Sequence, residues 1–294
     1  MPTSNNRPLL RVAVISDLHI DRRHWRARRL ERALARMERS EHIPDLLIVP
    51  GDITDNGEEG SWQCAARSFA KYRPAGLVLF AIGNHDTDGG ETGQRNFIQY
   101  TNKICGLRLE KPYYSRAVNG IPFLFLGSEG SALDAVLSEE QIAWFENEAA
   151  AAAETGKPVF VICHQSFNGT HGLPYTWNRD HSATDPMEGG IGVKNDRIRA
   201  ILSQYRNVFY ISGHIHEGLC RGKSENGYTW SSVEDLNGIR LINAPCFMFP
   251  NHDGDPMPGK GYMLEIFDDR VILLGRDFLR GTWEPNFVYS FVLS

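Results

Sequence analysis

Five short apolar segments in this chain are each followed by polar side chains that are common metal ligands. The segments span residues 12–15, 46–49, 77–82, 159–163 and 208–211. The side chains that follow them are, in chain order, Asp17, His19, Asp52, Asn84, His85, His164, His214 and His216. A single histidine or aspartate after a strand is usually a cap or a satisfied core residue. Five predicted strands that each end in such side chains are hard to attribute to chance, and they predict a metal site.

The donor set indicates which metals this site would take. It combines carboxylate, imidazole and amide oxygen groups without a thiolate, which suits manganese, iron or zinc and is too rich in imidazole for calcium. Seven of these eight side chains would already exceed the need of one open catalytic site, so two divalent ions per chain are expected. Residues i and i+2 of an extended chain point the same way. The pairs Asp17 with His19 and His214 with His216 are therefore each expected to chelate one ion, provided that the chain stays extended.

The elements that position these side chains follow from the apolar spacing. Residues 12–15 and 46–49 are continuous apolar runs typical of buried strands. Between them Ala27, Leu30 and Leu34 recur at helical spacing. A strand–helix–strand unit of this kind places the carboxyl ends of two parallel strands side by side, and open sheets bind ligands at that edge.

The remaining elements are expected to complete a single domain over residues 1–294. Ser138 and Gln141 form a capping box that predicts the start of a helix. Beyond residue 220 the pattern changes to strands without helices, and no linker composition separates them from the front half. We therefore expect parallel strands early and antiparallel strands late. The candidate strands of this tail are residues 228–233, 239–243, 261–267 and 271–278.

Residues 165–193 show little periodicity and many turn-forming residues, and so long a loop in a compact domain is more often functional than idle. Four side chains within it are candidates for substrate binding: His171, Tyr175, Trp177 and His181. The alternative is a surface excursion whose aromatic residues cover part of the core.

Composition disfavours several classes of function. The chain has 294 residues and a formal net charge of −5, which disfavours nucleic-acid binding through bulk electrostatics. We interpret the arginine-rich residues 22–39 as the solvated face of an amphipathic helix. No apolar run approaches the roughly 18 residues that span a bilayer, and no signal peptide is expected. Five scattered cysteines without a CxxC pair favour reduced thiols and a cytoplasmic location.

The ordered set of motifs resembles the five blocks of the calcineurin-like metallophosphoesterases. The blocks are Asp17-x-His19, Gly51-Asp52-x-x-Asp55, Gly83-Asn84-His85-Asp86, His164 and Gly213-His214-x-His216. The resemblance covers about two thirds of the chain, and the ordered set is far more specific than any one block. It implies an α+β fold with four layers (α/β/β/α), in which a β-sandwich of two mixed sheets is flanked by helices. The metal centre would lie at the carboxyl ends of the strands.

The resemblance also implies a role for each residue. The first metal would be held by Asp17, His19, Asp52 and His216. The second would be held by Asp52, Asn84, His164 and His214, with Asp52 bridging. His85 would be the catalytic histidine that faces the substrate without binding metal. Asp55 and Asp86 are interpreted as residues that orient neighbouring ligands, and the alternative for both is an ordinary turn acid.

These roles predict a metal-dependent hydrolase of phosphoric esters. Two adjacent cations lower the pKa of a shared water and clamp the phosphate oxygens, so that hydroxide attacks phosphorus in line. The leaving oxygen then needs a proton. The substrate is expected to be a small phosphate ester, and a diester is preferred slightly over a monoester by resemblance to small bacterial phosphodiesterases. A phosphomonoesterase and a non-catalytic binding module on the same fold stay open, as does the oligomeric state, a homodimer included.

Overall fold

The continuous apolar segments form buried strands, because each can satisfy its backbone groups only by pairing with neighbouring strands. The computed structural model describes residues 7–173, 189–225 and 228–294. Its strands are β1 (Leu10–Val14), β2 (Leu46–Val49), β3 (Leu77–Phe80), β4 (Tyr114–Val118), β5 (Ile121–Phe125), β6 (Val159–Ile162), β7 (Val208–Ser212), β8 (Lys223–Glu225), β9 (Tyr228–Trp230), β10 (Val233–Leu236), β11 (Ile239–Asn243), β12 (Lys260–Ile266), β13 (Arg270–Asp277) and β14 (Thr282–Val292).

Helices follow the early strands, as the alternation of apolar runs and helical spacing predicts. They are α1 (His24–Glu38), α2 (Glu59–Lys71), α3 (Glu91–Cys105), α4 (Glu139–Glu154) and α5 (Asn195–Leu202), with short 3₁₀ turns at His85–Thr87 and Gly192–Lys194. Ser138 caps α4 by accepting the backbone N–H of Gln141 at 3.2 Å. The Gln141 side chain donates to Gly127 and Glu129 instead of returning to Ser138, so only half of the predicted capping box forms. Within the described residues, no helix has the length and apolar character needed to cross a membrane.

The strands form two six-stranded mixed sheets. The first has the order β14-β13-β12-β1-β2-β3, and the second has the order β10-β11-β7-β6-β5-β4. In the first sheet β1, β2 and β3 are parallel. In the second sheet β5, β6, β7 and β11 are parallel. Antiparallel strands complete the outer part of each sheet. Both sheets therefore place the carboxyl ends of their parallel strands where the polar motifs begin.

Three apolar clusters separate four layers. The inner cluster joins the facing sides of the two sheets, with Val12 and Ile48 from the first sheet and Phe160 and Ile211 from the second. A second cluster packs α1, α2 and α3 on the outside of the first sheet, and a third packs α4 and α5 on the outside of the second. This arrangement confirms the predicted four-layer α/β/β/α sandwich.

The tail differs from the prediction in four respects. Residues 228–233 do not form one strand, because β9 ends at Trp230 and β10 begins at Val233. The expectation of antiparallel strands late is wrong for β11, which pairs in parallel with β7. The late strands are divided between the sheets, with β10 and β11 in the second and β12, β13 and β14 in the first. Finally, neither β8 nor β14 was predicted. The residues of β14 are mostly exposed or partly buried at the edge of the sheet, and a register shift at Leu274 and Gly275 interrupts its pairing with β13.

Candidate metal centre

The ends of the parallel strands bring all five motifs to one edge of the sandwich. Asp17 and His19 follow β1, Asp52 follows β2, and Asn84 follows β3 in the first sheet. In the second sheet, His164 follows β6, and the pair His214 and His216 follows β7. The seven predicted ligands are buried or nearly so. Side chains that lie up to 199 residues apart in sequence thus meet because two sheets end at the same edge.

The backbone at these strand ends is not extended, which corrects the geometric basis of the predicted chelating pairs. Asp17, His19 and Asp52 have φ angles of 57°, 43° and 49°, and His214 and His216 have φ angles of 70° and 54°. These values lie in the left-handed region, where a residue other than glycine is uncommon. The chain therefore turns at each of these five ligands, and the two histidines of the His214 motif face different groups of ligands.

The first group of ligands surrounds His216. Its Nε2 lies 3.2 Å from Asp17 Oδ1 and 3.1 Å from His19 Nε2. His19 Nε2 also lies 3.7 Å from Asp52 Oδ2. Aspartate and histidine atoms this close together, and nearly excluded from water, are the donor set that one cation would need.

The second group of ligands surrounds His164. Its Nε2 lies 3.2 Å from Asp52 Oδ2, and the ligand atoms of Asp52, His164 and His214 all lie within 4.8 Å of one another. Asn84 is buried in the loop that follows β3. The backbone N–H of the next residue, His85, donates to Asp52 Oδ1. Asp52 is therefore close to both groups, which is the position that a bridging carboxylate requires.

Three motif glycines allow the strand ends to approach this closely. A Cβ atom on Gly83 would overlap the backbone nitrogen and carboxylate of Asp52, and one on Gly51 would overlap the ring of His164. A Cβ on Gly213 would meet Ser16 and the Asp17 carboxylate. Each glycine of the resemblance therefore has a steric role next to a ligand.

Within the site, the charge of each carboxylate ligand is stabilised by neighbouring histidines. Burial alone would raise the pKa of Asp17, but His216 lowers it to about 2. Burial likewise opposes ionisation of Asp52, but His164 and His19 hold the pKa of Asp52 well below its ordinary value. Burial disfavours the charged form of His164, yet Asp52 and Asp17 raise the pKa of that histidine to about 9. By contrast, burial and the nearby His164 charge lower the pKa of His214 to about 3.

Hydrogen bonds from outside the ligand set orient two of the histidines. His164 Nδ1 donates to the carbonyl oxygen of Pro50 at 2.7 Å, which leaves Nε2 facing Asp52. Asp55 Oδ1 lies 3.2 Å from His19 Nδ1, as expected for an orienting carboxylate. Such partners fix the tautomer and the ring orientation of a histidine that binds metal.

Asp86 orients the backbone of two ligand loops, not a ligand side chain. Its carboxylate accepts the backbone N–H groups of Ile53, Thr54 and Gly83 at 3.2, 2.8 and 3.0 Å and the hydroxyl of Thr54 at 2.8 Å. These bonds tie the loop after β2 to the loop after β3. Burial and the negative charge of Asp52 nevertheless raise the pKa of Asp86 to about 7.

His85 lies at the rim of the centre, with 39% of its side chain exposed. Its ring centroid is 4.8 Å from that of His19, and its Nδ1 lies 3.0 Å from the carbonyl oxygen of Asp55. A carbonyl oxygen only accepts hydrogen bonds, so Nδ1 carries a proton. One ligand-capable atom of His85 also lies within 4.8 Å of His19 and Asp52. This position suits a proton donor and is close enough to require a test against metal binding.

Two residues at the site were not found from the sequence. Arg26 of α1 is buried, donates to the carbonyl oxygen of His19 at 2.6 Å and lies 2.8 Å from Asp55 Oδ2. It is therefore an exception to the predicted solvated face of residues 22–39. The second is Cys246, whose Sγ belongs to a group with His19 and His216 within 4.8 Å. It follows β11, which is parallel to β7, so the strand-end rule that identified the other motifs could have found it.

The predicted substrate-binding loop is described in part. Tyr175, Trp177 and His181 lie outside the described residues. His171 is buried. Its backbone N–H donates to Glu234 Oε1 at 3.1 Å, and its ring Nδ1 donates to the carbonyl oxygen of Ser231 at 2.5 Å. These contacts fix its position without showing what it binds, so the role in substrate binding stays a prediction.

The residues present fit a pair of divalent ions. Asn84 Oδ1 is a buried atom without a hydrogen-bond partner in the part of the chain that the structure describes, and His164 Nε2 lies 3.2 Å from the carboxylate of Asp52. Buried polar atoms normally have such a partner, and a cation that accepts their lone pairs would supply it. The oxygen and nitrogen donors again suit manganese, iron or zinc.

Comparisons with known proteins agree with this geometry. The family model described as calcineurin-like phosphoesterase matches residues 10–218. A probable glycerophosphodiester phosphodiesterase of Arcobacter nitrofigilis is 25% identical over 178 residues, which cover 59% of this chain and 57% of that protein. The match thus spans little more than half of the relative's length.

Solved structures show the same fold at low sequence identity. A dimetal phosphatase from Danio rerio superposes with a TM-score of 0.62 at 12% identity, covering 98% of this chain and 100% of the other. A purple acid phosphatase from yellow lupin (Lupinus luteus) seeds gives a TM-score of 0.64 at 14% identity, covering 97% and 53%. With the family match spanning most of the chain and the five motifs meeting at one edge, the protein belongs to the calcineurin-like phosphoesterases.

Proposed function

We propose that this protein hydrolyses small phosphodiesters with the aid of two divalent metal ions. The observation that carries the proposal is the position of Asp52 between two groups of buried ligands, one around His216 and one around His164. Two bound cations would withdraw charge from the phosphate oxygens and make a coordinated water acidic enough to supply the nucleophile.

The protein's own residues would then have separable tasks. The buried ligands hold the cations, and the hydrogen bonds of Asp55 and Asp86 keep the ligand loops in place. His85 is left at the rim with an exposed edge, where it would supply a proton to the leaving oxygen. Because Nδ1 is bound to the Asp55 carbonyl, this proton must come from Nε2 of a doubly protonated ring.

Two observations support a diester over a monoester. The relative from Arcobacter nitrofigilis carries the name of a probable glycerophosphodiester phosphodiesterase. A monoester also brings a second negative charge, which an additional arginine often binds. Arg26 is close to the site but is bound to Asp21, Asp55 and the His19 carbonyl, so it is committed to the protein.

The second candidate is a phosphomonoesterase, which is favoured by the phosphatases among the structures of the same fold. A non-catalytic binding module on this fold is disfavoured, because loss of ligands would be its expected mark and all seven are present here. We propose that the substrates are small organic phosphates and that the two metals are manganese, iron or zinc.

A matched substrate pair tests the proposal. Protein reconstituted with each of the three metals is assayed on bis(p-nitrophenyl) phosphate and p-nitrophenyl phosphate, which share a leaving group, and then on glycerophosphodiesters. We expect a kcat/KM at least tenfold higher for the diester, and loss of activity with both in the Asp52→Asn variant. A preference for the monoester would select the phosphatase. No hydrolysis of either at full metal occupancy would refute catalysis of this reaction class.

A further inference from the structure

A basic cavity lies at the opposite end of α1 from the metal centre. It has a volume of about 660 Å³ and is lined by Arg32, Arg36 and Arg39 of α1, by Arg276 of β13 and by Trp283 of β14. Arg26, which contacts the metal ligand loops, is 13 residues before Arg39. At a rise of about 1.5 Å per residue, the three α1 arginines of the cavity therefore lie roughly 9 to 20 Å along the helix axis from Arg26.

The positive charge of this cavity is not neutralised by the acids around it. Among the described residues, no ion pair within 4.0 Å involves any of the four arginines, although Glu41 also lines the cavity. The neighbouring carboxylates have other partners. Glu31 binds Lys71, Glu38 accepts the backbone N–H of Arg73, Asp277 binds Arg280, and Glu284 binds Lys260.

The cavity holds one of its guanidinium groups in a fixed place. Arg276 lies over the ring of Trp283, with Cζ 4.1 Å from the ring centroid, and the ring of His42 meets the same indole edge-on at 5.5 Å. Arg276 and Trp283 are also paired across the β13–β14 ladder. Partial burial lowers the pKa of Arg276, which is the expected effect of removing a cation from water. A guanidinium held in this way is preorganised for an anion, since little of its freedom is left to lose.

We propose that this cavity binds a small soluble molecule that carries two or more phosphate groups. Four guanidinium groups offer paired N–H donors that match phosphate oxygens, and several groups around one concave volume can bind several phosphates at once. The volume is within the range of small-molecule sites. A nucleic acid would require a longer basic surface, and the chain as a whole carries a net charge of −5. The site is separate from the metal centre and stands independently of the proposed reaction.

Isothermal titration with myo-inositol hexasulfate tests the proposal, because this polyanion is not a phosphate ester and cannot be turned over. We expect one molecule bound per chain, displaced by inorganic pyrophosphate. The Arg36→Glu and Arg276→Glu variants should each bind at least about tenfold more weakly, since each loses charge-assisted hydrogen bonds. The matched control is Arg28→Glu, which makes the same charge change at an exposed position of α1 outside the cavity. It should weaken binding less than about threefold.

Three results would overturn the proposal. They are no binding up to millimolar probe, an equal loss in Arg28→Glu and Arg36→Glu, and tighter binding of duplex DNA than of the hexasulfate. Binding by the Asp52→Asn variant should equal that of the wild type, and a loss there would assign the probe to the metal centre. A thermal melt of every variant separates lost binding from lost folding. The Arg36→Gln variant should have the melting temperature of the wild type and should still bind the probe more weakly.

Discussion

The His85→Ala substitution separates proton donation from metal binding. The His85 side chain makes one hydrogen bond of 3.0 Å, to the carbonyl oxygen of Asp55, and 39% of its surface is exposed. Its backbone N–H donates to Asp52 Oδ1 and is kept in the alanine variant. Removing the ring should therefore cost about 1 kcal/mol of folding free energy, the net value of a typical hydrogen bond. The variant should fold and should retain Asp52 in position.

The expected loss of activity depends on the leaving group. An alkoxide leaves poorly without a proton, and general acid catalysis contributes about 10²–10⁴-fold. This range equals roughly 3–5 kcal/mol of transition-state stabilisation at about 1.4 kcal/mol per factor of ten. A nitrophenolate leaves readily without protonation. His85→Ala should thus lower kcat/KM for a glycerophosphodiester by about two to four orders of magnitude and for bis(p-nitrophenyl) phosphate by much less.

The assay compares the two substrates in the wild type and the variant, with metal content measured on the same samples. Asp88→Ala is a suitable control. Asp88 lies on an exposed turn, with Oδ2 3.7 Å from His85 Nδ1. Among the described residues, the Asp88 side chain makes no hydrogen bond to a metal ligand. Equal losses on both substrates would show that His85 binds phosphate or stabilises charge. Loss of one metal ion would show that His85 is a ligand, as its distance from His19 and Asp52 allows. Either result would refute the reasoning.

Three further predictions concern the metals and the loop. Elemental analysis should find two divalent ions per chain, with Asp52→Ala weakening both sites; a single ion at saturation would contradict the shared carboxylate. Metal uptake at pH 6 should release about two protons per chain, because the pKa values of His164 and His216 are raised (that of His164 to about 9) and each must lose its proton to bind. Calorimetry in buffers of different ionisation enthalpy measures this, and release of none would contradict it. Shortening residues 174–188 should change the preference among substrates and leave metal content intact, whereas unchanged kinetics would favour a surface excursion.

The position of the site was predictable because burial and topology act together. A short run such as residues 46–49 can be satisfied only inside a sheet, and the first polar side chain after it must lie at the edge of that sheet. Repeating this argument for five runs places eight side chains at one edge. The structure shows the same strands within two residues at each end, for example β6 at Val159–Ile162 for the predicted residues 159–163.

The backbone conformation at that edge was not predictable from residue types. Asp17 and His214 are not glycines, and their sequence contains no sign of a positive φ. The left-handed turn follows from the surrounding structure: His214 N–H donates to the Asp17 carboxylate at 3.2 Å, across 197 residues of sequence. The assumption of an extended chain therefore failed where long-range contacts decide the local geometry.

Helix α3 is a different case, because the helical spacing of its buried residues is present in the sequence. Phe97, Tyr100, Thr101 and Cys105 are buried at helical spacing along one face. The helix begins after Gly89-Gly90 and ends at Gly106, whose φ of 69° is typical of a C-terminal cap. The role of Arg26 could not be found in this way, since burial of one arginine among eight in residues 21–39 depends on Asp21 and Asp55.

The backbone conformations of the ligands are costly for the fold that contains them. Five ligands adopt left-handed conformations, and each such residue costs about 1–2 kcal/mol. The sum is about 5–10 kcal/mol, which is comparable with the whole net stability of a domain. The buried side-chain oxygen of Asn84 adds to this cost, because it has no hydrogen-bond partner among the described residues.

Such strain persists only where the surrounding structure fixes it. Here the buried strands before each ligand, the steric room at Gly51, Gly83 and Gly213, and the four hydrogen bonds to Asp86 fix the loops from outside. None of these contacts needs the ligand side chains to face one another. The proximity of Asp17, Asp52 and four histidines at this edge is therefore not accounted for by the stability of the fold, and it is the arrangement that the proposed pair of cations would require.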